Sequence, residues 1–115
     1  MNTLLSAMTC LQTPDEAAAW LQSMQATRLQ TDSRQLQAHE AFIAWPGAAH
    51  DARRYVLEAL QQGAAACLVE AQGAEAFDFM QADALTAEQT CRLAVYQGLR
   101  QDTGEIAAAF YGRPS

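Results

Sequence analysis

Apolar residues recur along this chain in two rhythms, one of period near 3.6 and one of short continuous runs, and their alternation outlines an α/β domain. Thr13-Pro14-Asp15-Glu16 has the form of a helix start, with Thr as N-cap, Pro at the first helical position and Glu placed to close a capping box. Ala17, Trp20, Leu21 and Met24 follow at i, i+3, i+4 and i+7, which predicts a helix from about Pro14 to Gln25. Arg28 to Thr31 is short and partly alternating, like an edge strand, and runs into the polar turn Asp32-Ser33-Arg34. Ala41-Phe42-Ile43-Ala44-Trp45 is apolar on both alternating faces and is stopped by Pro46-Gly47, the pattern of a central strand covered on both sides.

The loop from Gly47 to His50 leads to Asp51, a good N-cap, and Val56, Ala59, Leu60 and Gly63 then recur at helical spacing, so a second helix is predicted to end at Gly63. Ala64 to Val69 is again a short apolar run, closed by Glu70 and Gly73. A strand, helix and strand with short joints form a right-handed crossover with parallel strands. Ala71 to Gln89 lacks a clear face and predicts a variable excursion with a single helical turn. Arg92 to Tyr96 reads as a last strand. Leu99, Thr103, Ile106 and Phe110 mark a closing helix, ended by Gly112 and Pro114. The expected architecture is one α/β domain over residues 1–115, a small mixed β-sheet flanked by helices.

Composition narrows the chemistry more than the fold. Half of the residues are hydrophobic, but 25 of them are Ala, so the core must draw on a modest set of Leu, Val, Ile, Phe and Trp. The charged fraction of 17% is too low for a disordered chain. All seven basic residues are Arg. Without Lys, neither a phosphate-loop NTPase nor a Schiff-base enzyme can be built from this chain alone. A net charge of −6 has the wrong sign for neutralising a nucleic-acid backbone, so no nucleic-acid partner is expected. Cys10, Cys67 and Cys91 are odd in number and lack C-x-x-C spacing, which predicts reduced, mostly buried thiols in a cytoplasm. No positive n-region opens the chain and no apolar run approaches the ~18 residues of a membrane span, so no membrane partner is expected either.

No G-x-S-x-G elbow surrounds Ser33, the two histidines, His39 and His50, lack metal-ligand spacing, and no G-x-G-x-x-G is present. These absences predict no catalytic residue and no metal site. One anion site remains coherent, at the Gly47 loop and the start of the second helix, where free N–H groups and the helix dipole favour a phosphate. Arg53 and Arg54 stand in that first turn and reinforce it, whereas Asp51 as N-cap competes for the same N–H groups. Such loops also occur without any ligand, and Asp32-Ser33-Arg34 is equally an ordinary polar turn.

Four segments in order carry a family likeness: Thr31-Asp32-Ser33-Arg34; Phe42 to Ala49 with Asp51 to Tyr55; Gln62-Gly63-Ala64-Ala65-Ala66; and Phe110-Tyr111-Gly112-Arg113-Pro114-Ser115. Together they resemble the N-terminal domain of the Mur ligases of type E, over about Arg28 to Ser115 except Ala71 to Gln89. The resemblance implies a domain of an ATP-dependent ligase of peptidoglycan synthesis, which adds the third stem-peptide residue to UDP-N-acetylmuramoyl-L-alanyl-D-glutamate. In that family ATP and magnesium act in the ATPase and C-terminal domains, which are not in this chain, and the first domain binds no cofactor and grips the UDP end of the substrate. The substrate contacts carried over are Thr31, Ser33, Ala48, Ala49 and His50. The corresponding domain of the type F ligases is an alternative, disfavoured by the F-Y-G-x-P-S ending; a free-standing binding or interaction module is another. Two departures stand out: Ala38-His39-Glu40 occupies the place of a P-G-D turn, and Asp51-Ala52 that of D-G, so a residue that resists positive φ replaces Gly at both. The Ala-rich, Lys-free composition suggests a GC-rich genome and, with it, diaminopimelate over lysine as the residue added.

Overall fold

A computed structural model describes residues 9–45, 51–73 and 86–112. Within them the chain forms β1 (Thr9–Leu11), α1 (Pro14–Ser23), β2 (Leu29–Gln30), β3 (Ala41–Ala44), α2 (Val56–Gln61), β4 (Ala66–Glu70), α3 (Ala87–Cys91), β5 (Leu93–Tyr96) and α4 (Leu99–Phe110). The sheet order is β1-β5-β4-β3-β2. This is the expected α/β class with a small sheet flanked by helices. Where a mixture of strand directions was expected, all four pairings among the described residues are parallel. The physical reason lies in the connections: none of those joining described strands is a two-residue hairpin, and α1 and α2 carry the chain back before β2 and β4 start.

The local signals act as their chemistry dictates. Thr13 Oγ1 accepts from the Glu16 amide at 3.1 Å while Glu16 Oε1 accepts from the Thr13 amide at 3.2 Å, completing the capping box of α1. The predicted edge strand lies at the sheet edge, shortened to two residues, and the Ala41 strand lies inside the sheet between β2 and β4. The second helix begins as a 3₁₀ turn, Ala52–Tyr55, before it relaxes into α2. It ends at Gly63, whose φ of +99° suits Gly and whose added Cβ would lie 3.6 Å from Ala38 Cβ. Residues 74–85 of the predicted excursion lie outside the described residues. The helical turn expected near it is α3, opened by a second capping box between Thr86 and Gln89.

Alternating strand residues feed two separate cores. On one face Ala41, Ile43, Ala66, Leu68, Ala94 and Tyr96 meet α1 and α4 through Leu21, Leu99, Ile106 and Phe110. On the other, Phe42, Ala44, Cys67, Val69, Leu93 and Val95 meet α2 through Val56, Ala59 and Leu60. The many strand alanines thus let helices close on the sheet, and the large side chains come from the helices and from alternate strand positions. Gln22 Nε2 donates to the Phe110 carbonyl at 3.0 Å, and the Leu29 amide donates to the Tyr111 hydroxyl at 2.8 Å, so the end of α4 is tied to α1 and to the β2 edge. Cys67 is buried, and burial pushes its thiol up to about 12. Cys10 and Cys91, expected to be mostly buried, are exposed, because the short β1 lies at the sheet edge and Cys91 closes α3. No helix among the described residues is long and apolar enough to cross a membrane.

Candidate functional site

Parallel strands deliver every following segment to the same edge of the sheet, and in open α/β sheets ligands sit outside that carboxyl edge. Here a cleft of about 410 Å³ opens between the ends of β2 and β3. Thr31, Asp32 and Arg34 line it from the segment after β2; Ala52, Tyr55 and Glu58 line it from the turn and helix after β3; Phe42 of β3 contributes between them. Ala52, Tyr55 and Glu58 recur every third residue, the repeat of a 3₁₀ turn running into a helix, and so share one face.

Thr31 is exposed and follows β2 directly, with its amide donating to Gln30 Oε1 at 3.1 Å. Ser33 opens the 3₁₀ turn Ser33–Gln35. The turn is held by Asp32, whose Oδ1 accepts from the Arg34 amide at 2.9 Å and from Arg34 Nε at 3.2 Å, while Oδ2 accepts from the same guanidinium at 3.2 Å. This two-pronged hydrogen bond, together with the carboxylate charge, raises the Arg34 pKa above its usual value. Of the predicted contacts, then, the structure puts Thr31 on the cleft and Ser33 in the turn beside it. Ala48, Ala49 and His50 lie outside the described residues.

The predicted role of Arg53 is corrected. Its side chain does not reach out toward an anion: it is 5% exposed and turned inward. Nε and one terminal nitrogen donate to the Asp51 carboxylate, the latter at 2.7 Å, and the other terminal nitrogen donates to the carbonyls of Glu70, at 2.7 Å, and of Gln72. A planar fork of donors can join two chain segments in this way, and a buried guanidinium requires such partners. Burial pushes the Asp51 carboxyl upward, but the Arg53 hydrogen bonds and charge outweigh it and leave the pKa below the usual value. Asp51 also caps the turn, accepting from the Arg53 amide at 3.0 Å, so the competition expected there takes place. Arg54 is exposed, with its guanidinium 5.7 Å from the Tyr55 ring centroid. At the carboxyl end of β4, Glu70 likewise turns onto the start of α4, accepting from the amides of Gly98 at 3.2 Å and Leu99 at 2.9 Å.

The two departures from glycine have different consequences. His39 has a φ of 73°, so the backbone keeps the left-handed conformation and the side chain is accommodated there. Ala52 lies in a 3₁₀ turn without positive φ, where Gly is not needed. Sequence reasoning missed Tyr55 and Glu58 as cleft residues. Their every-third spacing from Ala52 was a usable signal, but only the fold shows which side of the turn faces β2.

No family model matches the chain. Its sequence is similar to part of a protein named UDP-N-acetylmuramoyl-L-alanyl-D-glutamate–2,6-diaminopimelate ligase from Acidovorax sp. (strain JS42), 43% identical over 111 residues, which are 96% of this chain and 20% of the relative. Proteins of the same name from Coxiella burnetii (39% identical, 76% of this chain and 16% of the relative) and Haemophilus ducreyi (31% identical, 100% and 23%) are similar in the same way. The chain spans about a fifth of the length of the curated relatives it matches.

Proposed function

We propose that this chain is the N-terminal, nucleotide-gripping domain of a Mur ligase of type E, one that adds 2,6-diaminopimelate to UDP-N-acetylmuramoyl-L-alanyl-D-glutamate in peptidoglycan synthesis. The observation that carries the reading is the cleft at the carboxyl edge, where Thr31 and the Ser33 turn meet the first turn after β3. These are two of the segments that resemble the family, and the relatives' names specify the residue added. In this reading Thr31 and Ser33 supply neutral hydrogen bonds to the nucleotide, and Ala48, Ala49 and His50 supply further contacts, the two alanines through backbone groups only.

The ATP-dependent chemistry is assigned to further domains of a longer protein. The residues here do not fit it: the chain has no Lys to hold transferring phosphates, and among the described residues no three His, Cys, Asp or Glu side chains converge on a cation. The domain's own task is to orient the substrate, so that its carboxylate is presented to the ATPase domain in a fixed pose. A cytoplasmic location accords with these assignments.

The test is an NMR titration of the chain with UDP-N-acetylmuramoyl-L-alanyl-D-glutamate at millimolar concentration. Amide shifts at Thr31 to Arg34 and at Asp51 to Tyr55 are expected. Shifts absent from both segments rule out the grip. Ser33→Ala should weaken binding by roughly tenfold at most, the worth of one neutral hydrogen bond.

A further inference from the structure

β2 is only two residues long, and it leads directly into Thr31 and the Ser33 turn. On its inner side Leu29 pairs with Ala41 and Gln30 with Phe42 of β3. Its outer side is the edge of the sheet, where a strand leaves its amides unpaired. Here the Leu29 amide donates at 2.8 Å to the hydroxyl of Tyr111, 82 residues away along the chain. That partner is firmly placed. Tyr111 closes α4, its amide donating to the Ala107 carbonyl at 2.9 Å, and its ring meets that of Phe110 edge to face, with centroids 4.9 Å apart. Phe110 in turn is packed in the core under α1 and α4, with Gln22 on its carbonyl. The Tyr111 side chain is 57% exposed, so burial gives little reason for an aromatic there; the hydroxyl bond to Leu29 is what sets Tyr apart from Phe.

From Leu29 the tie reaches the turn within two residues. Gln30 Oε1 accepts from the amides of Thr31 and Asp32, both at 3.1 Å, and Asp32 holds the Arg34 amide through its side chain and the Gln35 amide through its carbonyl. These bonds run between near neighbours, so they set the shape of the turn and not its place on the sheet. Its place comes from its two ends, Leu36 buried in the core with Val56, Ala59 and Leu60, and β2. Two paired residues make a shorter strand than is usual, and Tyr111 adds a second hold on it. Resting on the nucleotide-gripping reading, we propose that Tyr111 is a positioning residue for the grip: its hydroxyl fixes the outer edge of β2 and thereby the place of Thr31 and the Ser33 turn. It acts through the strand and not by contact with the ligand. Its effect on binding is bounded by its cause, because one neutral hydrogen bond is worth about two- to tenfold in an equilibrium and the tie transmits no more than that.

The experiment compares the whole 115-residue chain with Tyr111→Phe, which keeps the ring and removes the hydroxyl, by NMR. In the free variant the Leu29 amide should exchange faster with solvent and the amides of Thr31 to Arg34 should shift, while those of α2, β4 and β5 stay in place and report an intact fold. Titrated with UDP-N-acetylmuramoyl-L-alanyl-D-glutamate, the variant should bind about two- to tenfold more weakly than the unaltered chain. A Tyr111 that merely covers the sheet edge would, on losing its hydroxyl, speed Leu29 exchange and lower the melting temperature without changing affinity. Unchanged affinity, or turn amides that do not shift in the free variant, overturns the proposal while leaving the domain a nucleotide binder. An unaltered chain that shows no shift at Thr31 to Arg34 or Asp51 to Tyr55 with this nucleotide removes the nucleotide-gripping reading and the proposal together.

Discussion

The two faces of the sheet are covered in different ways. One carries α1 and α4, ten and twelve residues long, packed along each other over Ile43, Leu68 and Tyr96. The other carries the six-residue α2 and a 3₁₀ turn, and at its carboxyl edge it opens into the cleft. The first face is closed chiefly by apolar area, with the Gln22 bond to the Phe110 carbonyl and the Tyr96 hydroxyl donating to Asp102 added to it. The second is closed near its edge by a buried ion pair, because α2 is too short to cover it and the chain entering it must be pinned at Asp51. The lesson is a division of labour: the thick face supplies stability mainly through apolar burial, and the thin face has the space and the polar groups that a ligand requires.

The comparison breaks most severely if the thick face is emptied. Leu21, fully buried between α1, α4 and the sheet, should cost about 3 to 5 kcal/mol when changed to Ala, read as a loss in chemical or thermal unfolding. On the thin face Arg53→Met should cost about 3 kcal/mol, the low end for a broken buried pair because Asp51 keeps some water and the residue-53 amide; the variant removes the guanidinium donors from Asp51 and from the carbonyls of Glu70 and Gln72. A loss as small as that of an exposed Arg would show that the pair does not hold the thin face. His39→Gly should work in the opposite direction, gaining about 0.5 to 1 kcal/mol by removing a side chain from a left-handed position, which a rise in melting temperature would register.

Acid sharpens the contrast further. The Asp51 carboxyl has a folded pKa below its unfolded value of about 3.9. Its contribution is therefore present above that value and is lost as pH falls through the folded pKa. Melting temperature should drop below about pH 4, and Asp51→Asn should reduce the Asp51 share of that drop. The smallest effect belongs to Glu58→Ala, an exposed change on α2 that should alter stability by no more than about 0.5 kcal/mol, read in the same unfolding experiment.

Much of this was legible along the chain. Thr13-Pro14-Asp15-Glu16 specified a helix start because the cap and its partner are three residues apart, and the apolar runs at Ala41 and Ala64 specified strands because they are too short for covered helices. Thr86-Ala87-Glu88-Gln89 carried the same cap signal as Thr13 but stood inside a segment without periodicity, and α3 was foreseen only as an unplaced turn. The candidate site was half legible. Thr31 and the Ser33 turn were marked by likeness and lie at the cleft; Arg53 was assigned to an anion because a basic residue in a first turn normally faces water.

What the sequence determined by itself is what depends on neighbours within a few residues: caps, turns, the period of each element and the α/β class those periods imply. Tertiary structure alone decided the rest. The all-parallel pairing of the described strands follows from how the crossovers lie on the sheet, which local periodicity does not encode. The inward turn of Arg53 depends on carbonyls 17 and 19 residues away, at Glu70 and Gln72, whose free energy of pairing no local pattern contains. The cleft depends on β2 and β3 ending side by side, so that Tyr55 and Glu58 face Thr31 across a gap that exists only once the sheet has formed.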